Sequence, residues 1–446
     1  MRYLYLCLLL YLTLLIIPIH AQQAEPDPVP ITSDNINEVS NVGALPRVDG
    51  NIFDIEWSPT SPHLLALATH AGVQIYHVDH AMAELWVTLE LTNDLAVRLG
   101  WSPDGKLIIH GVSLGGGLWL WDADSGRQLA TLAGLRGEGQ NDRVAFDPTG
   151  TLIANFSLSS PTVQVWGIED GAEERSVIAA ENAFWLGRIA QLEHPDEMRD
   201  MIFSPDGELL ATSNNDGVVR LWETETFSVV DEYPLDYTDG LAFSPDGARL
   251  AVISNDPMQA TVIDIAAGST VTIVPEATVN GPRHLAFTPD GSFLAVFGGE
   301  FGDEGDQPIR FMDVQPDSET FGEQITEIPA AHPFTIWEIG FNTTDTTLAS
   351  LGWSDNLQLW QLGEPLDAIL TTARDLEVNS MAMVTLAFND DQLNVRAGAG
   401  TDNDIVARLD AGTLVTIIGG PQTVGDTLVV ALRTPPEETP GRDPRR

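Results

Sequence analysis

The sequence predicts an all-β chain: seven four-stranded blades arranged in a ring, followed by a small partial β-barrel. Two observations carry the ring. An aromatic residue followed by Ser, Asp, Thr or Asn, and in most copies by Pro, an acidic or polar residue and Gly, recurs at Trp57, Trp101, Phe146, Phe203, Phe243, Phe287 and Phe341. The successive spacings are 44, 45, 57, 40, 44 and 54 residues. Four short strands with their turns occupy ~40–45 residues, so two of the units carry insertions. The only cysteine is Cys7, near the start of the chain. A ring of this kind therefore closes by packing and strand pairing, without disulfides or thiolate metal sites.

Each unit reads in the same order. An apolar strand ends at the aromatic, Pro fixes φ, Asp-Gly turns the chain, and a second apolar run follows. A third strand ends in tryptophan at Trp121, Trp166, Trp222 and Trp360, and two units have Ile263-Asp264 and Met312-Asp313 there instead. Along residues 218–222, Val219 and Leu221 share one face while Val218, Arg220 and Trp222 share the other. Both faces of a blade meet neighbours, so apolar residues need not alternate strictly, and the fixed aromatic supplies inter-blade contact area.

The run FSPDGELLATSNNDGVVRLW at residues 203–222 resembles a Trp-Asp (WD) repeat, and the similarity extends over residues 45–365. The resemblance implies a seven-bladed β-propeller, here assigned to residues 36–365, that closes by borrowing a strand across its ends. Residues 36–45, INEVSNVGAL, are placed to add the outer strand of the last blade. In that family a Gly-His pair, a Ser or Thr, a turn Asp and the Trp form a buried hydrogen-bonded set. Here it is represented by fragments: His332 in the last repeat, and Asp355, one residue closer to Trp360 than Asp216 is to Trp222. After a connector at 366–382, residues 383–434 resemble a partial bacterial Src-homology-3-like domain, through LNVRAGAGT at 393–401 and Leu409-x-x-Gly412-Thr413-x-Val415. Val429-Val430 stands where that family has a tryptophan pair, and residues 435–446 are an irregular tail.

Residues 1–21 read as a secretory signal peptide: Arg2, an apolar run at 4–17, Pro18 as breaker and Ala21 at the cleavage point. The run is shorter than a spanning helix requires. Residues 22–35 are a Pro-rich, acidic lead-in with little to bury. The expectation is a secreted or cell-surface protein, monomeric, with no transmembrane span once the leader is removed. Acids number 65 against 21 Lys plus Arg, for a formal charge of −44, and Lys106 is the only lysine. Such a charge repels phosphate backbones and anionic membranes, which excludes nucleic acid as partner. At 43% hydrophobic residues the chain is too apolar for a disordered acidic tail.

The motifs that suggest chemistry have plainer readings beside them. Residues 111–115, GVSLG, match the nucleophile-elbow string around Ser113, but they sit between two strands rather than at a strand-to-helix turn. Glu300, Asp303 and Asp306 crowd a loop with glycines, a composition that suits calcium, yet the spacing is not that of the twelve-residue calcium loop. His63, His70, His77, His80 and His110 cluster in the first two units without paired ligand spacing. Trp185, Trp337 and Trp353 fall outside the third-strand position and are candidates for a binding face.

The resemblance implies that the loops between second and third strands share a face with those entering the first strand. Asp216, Asp256, Glu300, Asp303, Asp306 and Asp355 then form a candidate acidic binding face. The reading is a non-catalytic exported scaffold that binds a protein, peptide or cell-surface glycan through propeller loops, with no catalytic residue, no assigned metal, and calcium as the one cofactor considered. The alternative is a propeller hydrolase or lyase with a divalent cation in the central channel. The leader is directly testable: N-terminal sequencing of the mature protein should begin near Gln22, and an intact N-terminus in a membrane fraction would contradict the export reading.

Overall fold

The computed structural model describes residues 39–362 except for 45–50, 80–81, 91–95, 113–116, 133–142, 170–174, 236–237, 256–257, 274–281, 299–306, 333–334, 343, 345–346 and 353–355, together with Ile31, Asn35 and strands within 381–433. Seven antiparallel four-stranded sheets follow one another along the chain. Their inner strands are Ile52–Trp57, Ala96–Trp101, Arg143–Phe146, Met198–Phe203, Thr238–Phe243, Pro282–Phe287 and Ile336–Phe341, and each of the seven repeat aromatics ends one of them. Inner strands of successive blades touch, and the seventh touches the first, so the ring is closed. The protein is a seven-bladed β-propeller.

Closure uses the start of the chain. Val39–Ala44 pairs antiparallel with Asn356–Leu362 and supplies the outermost strand of blade seven, whose other strands come from the opposite end of the ring. Asn41 donates to the Gln358 side chain at 2.6 Å across this seam. The lead-in contributes more than its composition suggests: Ile31 is 2% exposed and packs in the cluster shared by blades six and seven, with Phe297, Phe311 and Ile336. One aliphatic side chain in a polar stretch suffices when the gap between two blades fits it.

Why Ser, Asp, Thr and Asn interchange after the aromatic is visible in the turn. The residue is buried in every blade, and in blades two to seven its side-chain oxygen accepts the N–H at the opening of the next strand, whereas in blade one Ser58 Oγ accepts from Thr60 N–H. Leu107 donates to Ser102 Oγ at 2.9 Å, Leu152 to Asp147 Oδ1 at 2.6 Å, Leu209 to Ser204 Oγ at 2.9 Å, Phe293 to Thr288 Oγ1 at 3.0 Å and Thr347 to Asn342 Oδ1 at 3.1 Å. What is conserved along the chain is an acceptor, not a residue type. Gly105, Gly150, Gly207, Gly247 and Gly291 complete these turns at φ of +68° to +76°, which an L side chain adopts only under strain.

Seven hydrophobic clusters hold the ring, one at each blade interface. The third-strand tryptophans are buried in them, and each needs an acceptor for its indole N–H. Trp166 donates to Asn155 Oδ1 at 2.7 Å, Trp222 to Thr212 Oγ1 at 2.8 Å and Trp360 to Ser350 Oγ at 2.8 Å. In the two blades with Ile263 and Met312 instead, the paired strand carries Val252 and Val296 at the acceptor's position. Donor and acceptor are lost together there, so neither is stranded in an apolar interface. Blade two is the exception, where the buried Trp121 indole stacks by His110 and its N–H has no hydrogen-bond partner among the described residues.

Among the described residues beyond the ring, Met381–Met383 pairs with Leu414–Val424, which pairs with Thr427–Arg433, and Gln392–Arg396 pairs with Ile405–Asp410. No helix among the described residues is long and apolar enough to cross a membrane.

The tryptophan–acceptor pairing gives a stability prediction. Thr212→Val keeps the shape but leaves the Trp222 N–H without its acceptor, and should cost about 1–3 kcal/mol in urea unfolding. Val252→Thr in blade five, which buries a hydroxyl facing Ile263, should also destabilise; equal stability of both variants to the parent would refute the pairing.

Candidate functional site: a charged ring in the channel

A feature absent from the sequence reading emerges at the inner strands. The residue three places before each repeat aromatic is Asp54, Arg98, Arg143, Asp200, Gly240, His284 and Glu338 in blades one to seven. In six blades the pairing register slips just before this position, between Ile52/Asp54, Ala96/Arg98, Met198/Asp200, Thr238/Leu241, Pro282/His284 and Ile336/Glu338. The slip is a β-bulge, which re-aims a side chain locally. The result is one ring of polar groups at one level of the channel.

Those groups are spent on one another and on the backbone. Asp54 accepts from its own neighbour Ile55 N–H at 3.0 Å and from Leu99 N–H of blade two at 3.0 Å. Asp200 does the same three blades further round, from Met201 N–H at 2.8 Å and Leu241 N–H of blade five at 2.9 Å. Each aspartate thus pins the next blade's inner strand. Glu56, two residues beyond Asp54, accepts from Trp101 N–H at 3.0 Å. Arg143 pairs with Asp200, Nε to Oδ1 at 2.8 Å, and reaches across the channel to Glu338 of blade seven at 3.9 Å. Arg98 donates to the carbonyls of Phe53 at 3.0 Å and Val97 at 2.8 Å.

Burial in this ring moves the carboxyl groups upward. Desolvation raises Glu338 to about 7, with Arg143 opposing and Asp54 reinforcing the rise. It also holds Glu56 well above the ordinary glutamate range, aided by Asp54, and raises Asp54 against the pull of Arg98. Arg143 is held firmly charged, chiefly by Asp200. Among the described residues no group of three or more His, Cys, Asp and Glu is arranged to hold a metal ion. The carboxylates that do converge on the axis have guanidinium groups between them.

Of the acidic face read from the sequence, Asp216 is described and Asp256, Glu300, Asp303, Asp306 and Asp355 lie outside the described residues. Asp216 sits in the hairpin before Val218–Glu223 and accepts from Val218 N–H at 2.8 Å. It is bound to Arg220 Nη2 at 2.6 Å, and Arg220 also meets Glu232 at 3.0 Å and Asn214 at 3.1 Å. These bonds hold Asp216 below the ordinary aspartate range despite partial burial. It serves its own blade. Ser113 lies outside the described residues, and the strands that precede and follow it, Leu107–Val112 and Leu118–Asp122, pair antiparallel with each other. His63 and His77 stack at 5.5 Å and His110 is buried beside Trp119 and Trp121. Trp185 is half exposed on the rim, Trp337 lies in the inner strand of blade seven, and His80 and Trp353 lie outside the described residues.

Two buried histidine relays complete the local geometry. His194 Nε2 lies 2.9 Å from Thr212 Oγ1, the same hydroxyl that accepts from Trp222. His332 Nε2 lies 2.7 Å from Ser350 Oγ, which accepts from Trp360. Gly352 makes room for the second: a Cβ there would come within 2.8 Å of His332 Cγ. Burial lowers both histidines to about 4, with Arg220 adding to the effect at His194. The first relay lies inside a segment, residues 188–223, that matches the WD domain, G-beta repeat family. Residues 188–223 match the length of one WD40 repeat. It takes in most of the outer strand of blade three and the inner three strands of blade four. The sequence reading found the Trp222 end of this WD40 repeat but passed over His194, whose signal was its place four residues before the strand Met198–Phe203.

The chain is similar to "Cell division cycle 20.1, cofactor of APC complex" of Arabidopsis thaliana, 26% identical over 175 residues, which is 39% of this chain and 34% of that protein. It is also similar to "Periodic tryptophan protein 2 homolog" of Schizosaccharomyces pombe, 27% identical over 123 residues, 28% of this chain and 12% of that protein. The matched stretches thus cover about a third or less of these relatives.

The titrations predict a stability maximum near neutral-acid pH. Glu338 holds a proton in the folded state that the unfolded chain releases, so its contribution is lost as pH rises from about 4.5 through about 7, and Glu56, also raised by burial, acts in the same direction. His194 and His332 bind protons less readily folded than unfolded, so their contribution is lost as pH falls from about 6.5 towards 4. Between about pH 4.5 and 6.5 the two effects oppose each other, and above 6.5 the carboxyl loss acts without the histidine gain. Melting temperature should therefore decline from about pH 6.5 into the low sevens, and Glu338→Gln should flatten that decline while steepening the loss on the acid side, where Glu338 no longer offsets the histidines. An unchanged alkaline limb in the variant would contradict the assignment.

Proposed function

We propose that this protein is a non-catalytic, exported scaffold whose propeller binds a protein partner. The observation that carries the reading is the fate of the channel charges. Asp54, Asp200 and Arg143 tie blade to blade, which makes the ring a rigid platform rather than a site with an available acid, base or nucleophile. A rigid ring with loops on two faces and outer strands on its rim is suited to holding a partner without chemistry of its own. The relatives' names point the same way, one being called a cofactor of a complex. Export rests on the apolar leader at residues 1–21 and its small-residue end.

The test uses the full mature chain as bait on the exported fraction of its cells, followed by reconstitution with the captured protein. A stoichiometric complex that re-forms from the two purified proteins is expected. In parallel, ester and peptide panels are run on the parent and on Ser113→Ala. Turnover that disappears in the variant would overturn the scaffold reading.

A further inference from the structure

The outer strands share a feature. In blades one, three, four and six the pairing of third and fourth strands slips by one residue, leaving Trp86, Ile189, Val230 and Ile325 as the extra residue of a bulge. All four are exposed apolar side chains. Blade two has the same slip, with Leu129 as the extra residue, yet Leu129 is partly buried. The cause is the insertion in blade three. Between Thr162–Ile168 and Leu186–Glu193 the chain makes a detour whose Ile178, Ala180 and Ala183 pack with Leu129, Ala130 and Leu132 of blade two. The short 3₁₀ turn Ala183–Trp185 lies against that strand.

Among the described residues, blade one has no such cover from blade two. There the connection from Leu118–Asp122 to Gln128–Leu132 is a short turn. Its Gly126 comes to rest against Val87 and Leu89, where a Cβ would stand 3.4 and 3.6 Å away. Beyond Val87 the outer strand Met82–Glu90 borders a cleft of about 480 Å³, lined by Ser61, Leu64, His77, Glu84, Leu85 and Trp86. Leu85 and Trp86 are 47% and 48% exposed. The bulge brings these two consecutive apolar residues to the same cleft, where a regular strand would send them to opposite faces.

We propose that this cleft docks a polypeptide segment of a partner protein, an aliphatic residue flanked by lysine or arginine, which takes on blade one the place that the blade-three insertion takes on blade two. The inference rests on the protein-binding reading above and names its surface. The insertion shows within this chain what such a rim position accepts: a short apolar segment laid against the outer strand. The volume suits one or two side chains rather than a folded surface. Charge selects the rest. Glu84 and Trp86 both line the cleft, a lining in which the methylenes of a basic side chain cover Leu64 and Trp86 while its cation meets the carboxylate. The formal charge of −44 draws basic segments towards the surface and repels acidic ones, a second copy of this chain included.

The experiment selects a phage-displayed random dodecapeptide library on the full-length protein and measures the enriched peptides by calorimetry. Enriched sequences should pair aliphatic residues with Lys or Arg. Binding should weaken about tenfold or more in Trp86→Ala and lose much of its salt dependence in Glu84→Gln, while Phe184→Ser on the blade-three insertion leaves it unchanged. Leu85→Arg, which places a cation of its own in the cleft, should block binding, and equal melting temperatures show that the variants fold. No enrichment, acidic consensus peptides, binding indifferent to Trp86→Ala, or an oligosaccharide that binds in place of peptides would each overturn the proposal. A partner that re-forms its complex with Trp86→Ala unimpaired would defeat this surface and leave the scaffold reading standing. Failure to find any protein partner would defeat the scaffold reading itself.

Discussion

The ring depends on one seam. Six blades are built from strands that follow one another along the chain, and their pairing is local. Blade seven alone takes its outermost strand, Val39–Ala44, from the far side of the sequence and sets it against Asn356–Leu362. Without that pairing the interface between blades seven and one would rest on the hydrophobic cluster of Ile52, Trp57, Leu65, Leu351 and Leu359 and on two hydrogen bonds, from Trp57 Nε1 to the Gly340 carbonyl at 3.0 Å and from Asn342 Nδ2 to the Pro62 carbonyl at 3.1 Å. No disulfide is available to replace it, because the one cysteine is at position 7. A propeller has short protected edges only while it is closed, so the hydrogen bonds of this seam act on all seven blades at once.

Closure in turn explains the chemistry of the channel. Side chains at the axis of a closed ring lose most of their water, and a charge there is tolerated only if it is paired. Asp54 and Asp200 meet the requirement by accepting N–H groups from the neighbouring blade, and Arg143 by spanning from Asp200 to Glu338. The groups that look most like an active site are thereby committed to holding inner strands in register. On the outside of the ring, bulges in the outer strands leave apolar side chains exposed in four blades, and an insertion covers the corresponding residue in a fifth.

Much of this was legible in the sequence, and the reasons for what was not are physical. The aromatic-acceptor-Pro-Asp-Gly turn is a local device, so its spacing located every inner strand and fixed the blade count. The closing strand was legible because the resemblance to WD repeats implies a ring that borrows a strand across its ends, and residues 36–45 stand just before the first unit. The charged ring was missed because its members, Asp54 to Glu338, are 284 positions apart at the extremes and share only a register, three residues before the aromatic. His194 was missed for a related reason: the relay needs Thr212 and Trp222, which come from later strands. Asp216 was read as a surface acid because sequence alone does not show Arg220 folding back on it across a hairpin. The insertion at residues 169–185 was legible as a long spacing, but its role as a cover for blade two depends on packing between blades.

The seam is the claim on which the rest stands, and native-state hydrogen exchange addresses it directly. The amides of Val39–Ala44 that pair with Asn356–Leu362 should exchange as slowly as those of the inner strands and at the same free energy of opening, because opening the seam opens the ring. Fast exchange of Val39–Ala44 at the rate of the surface loops, with the inner strands still fully protected, would contradict it.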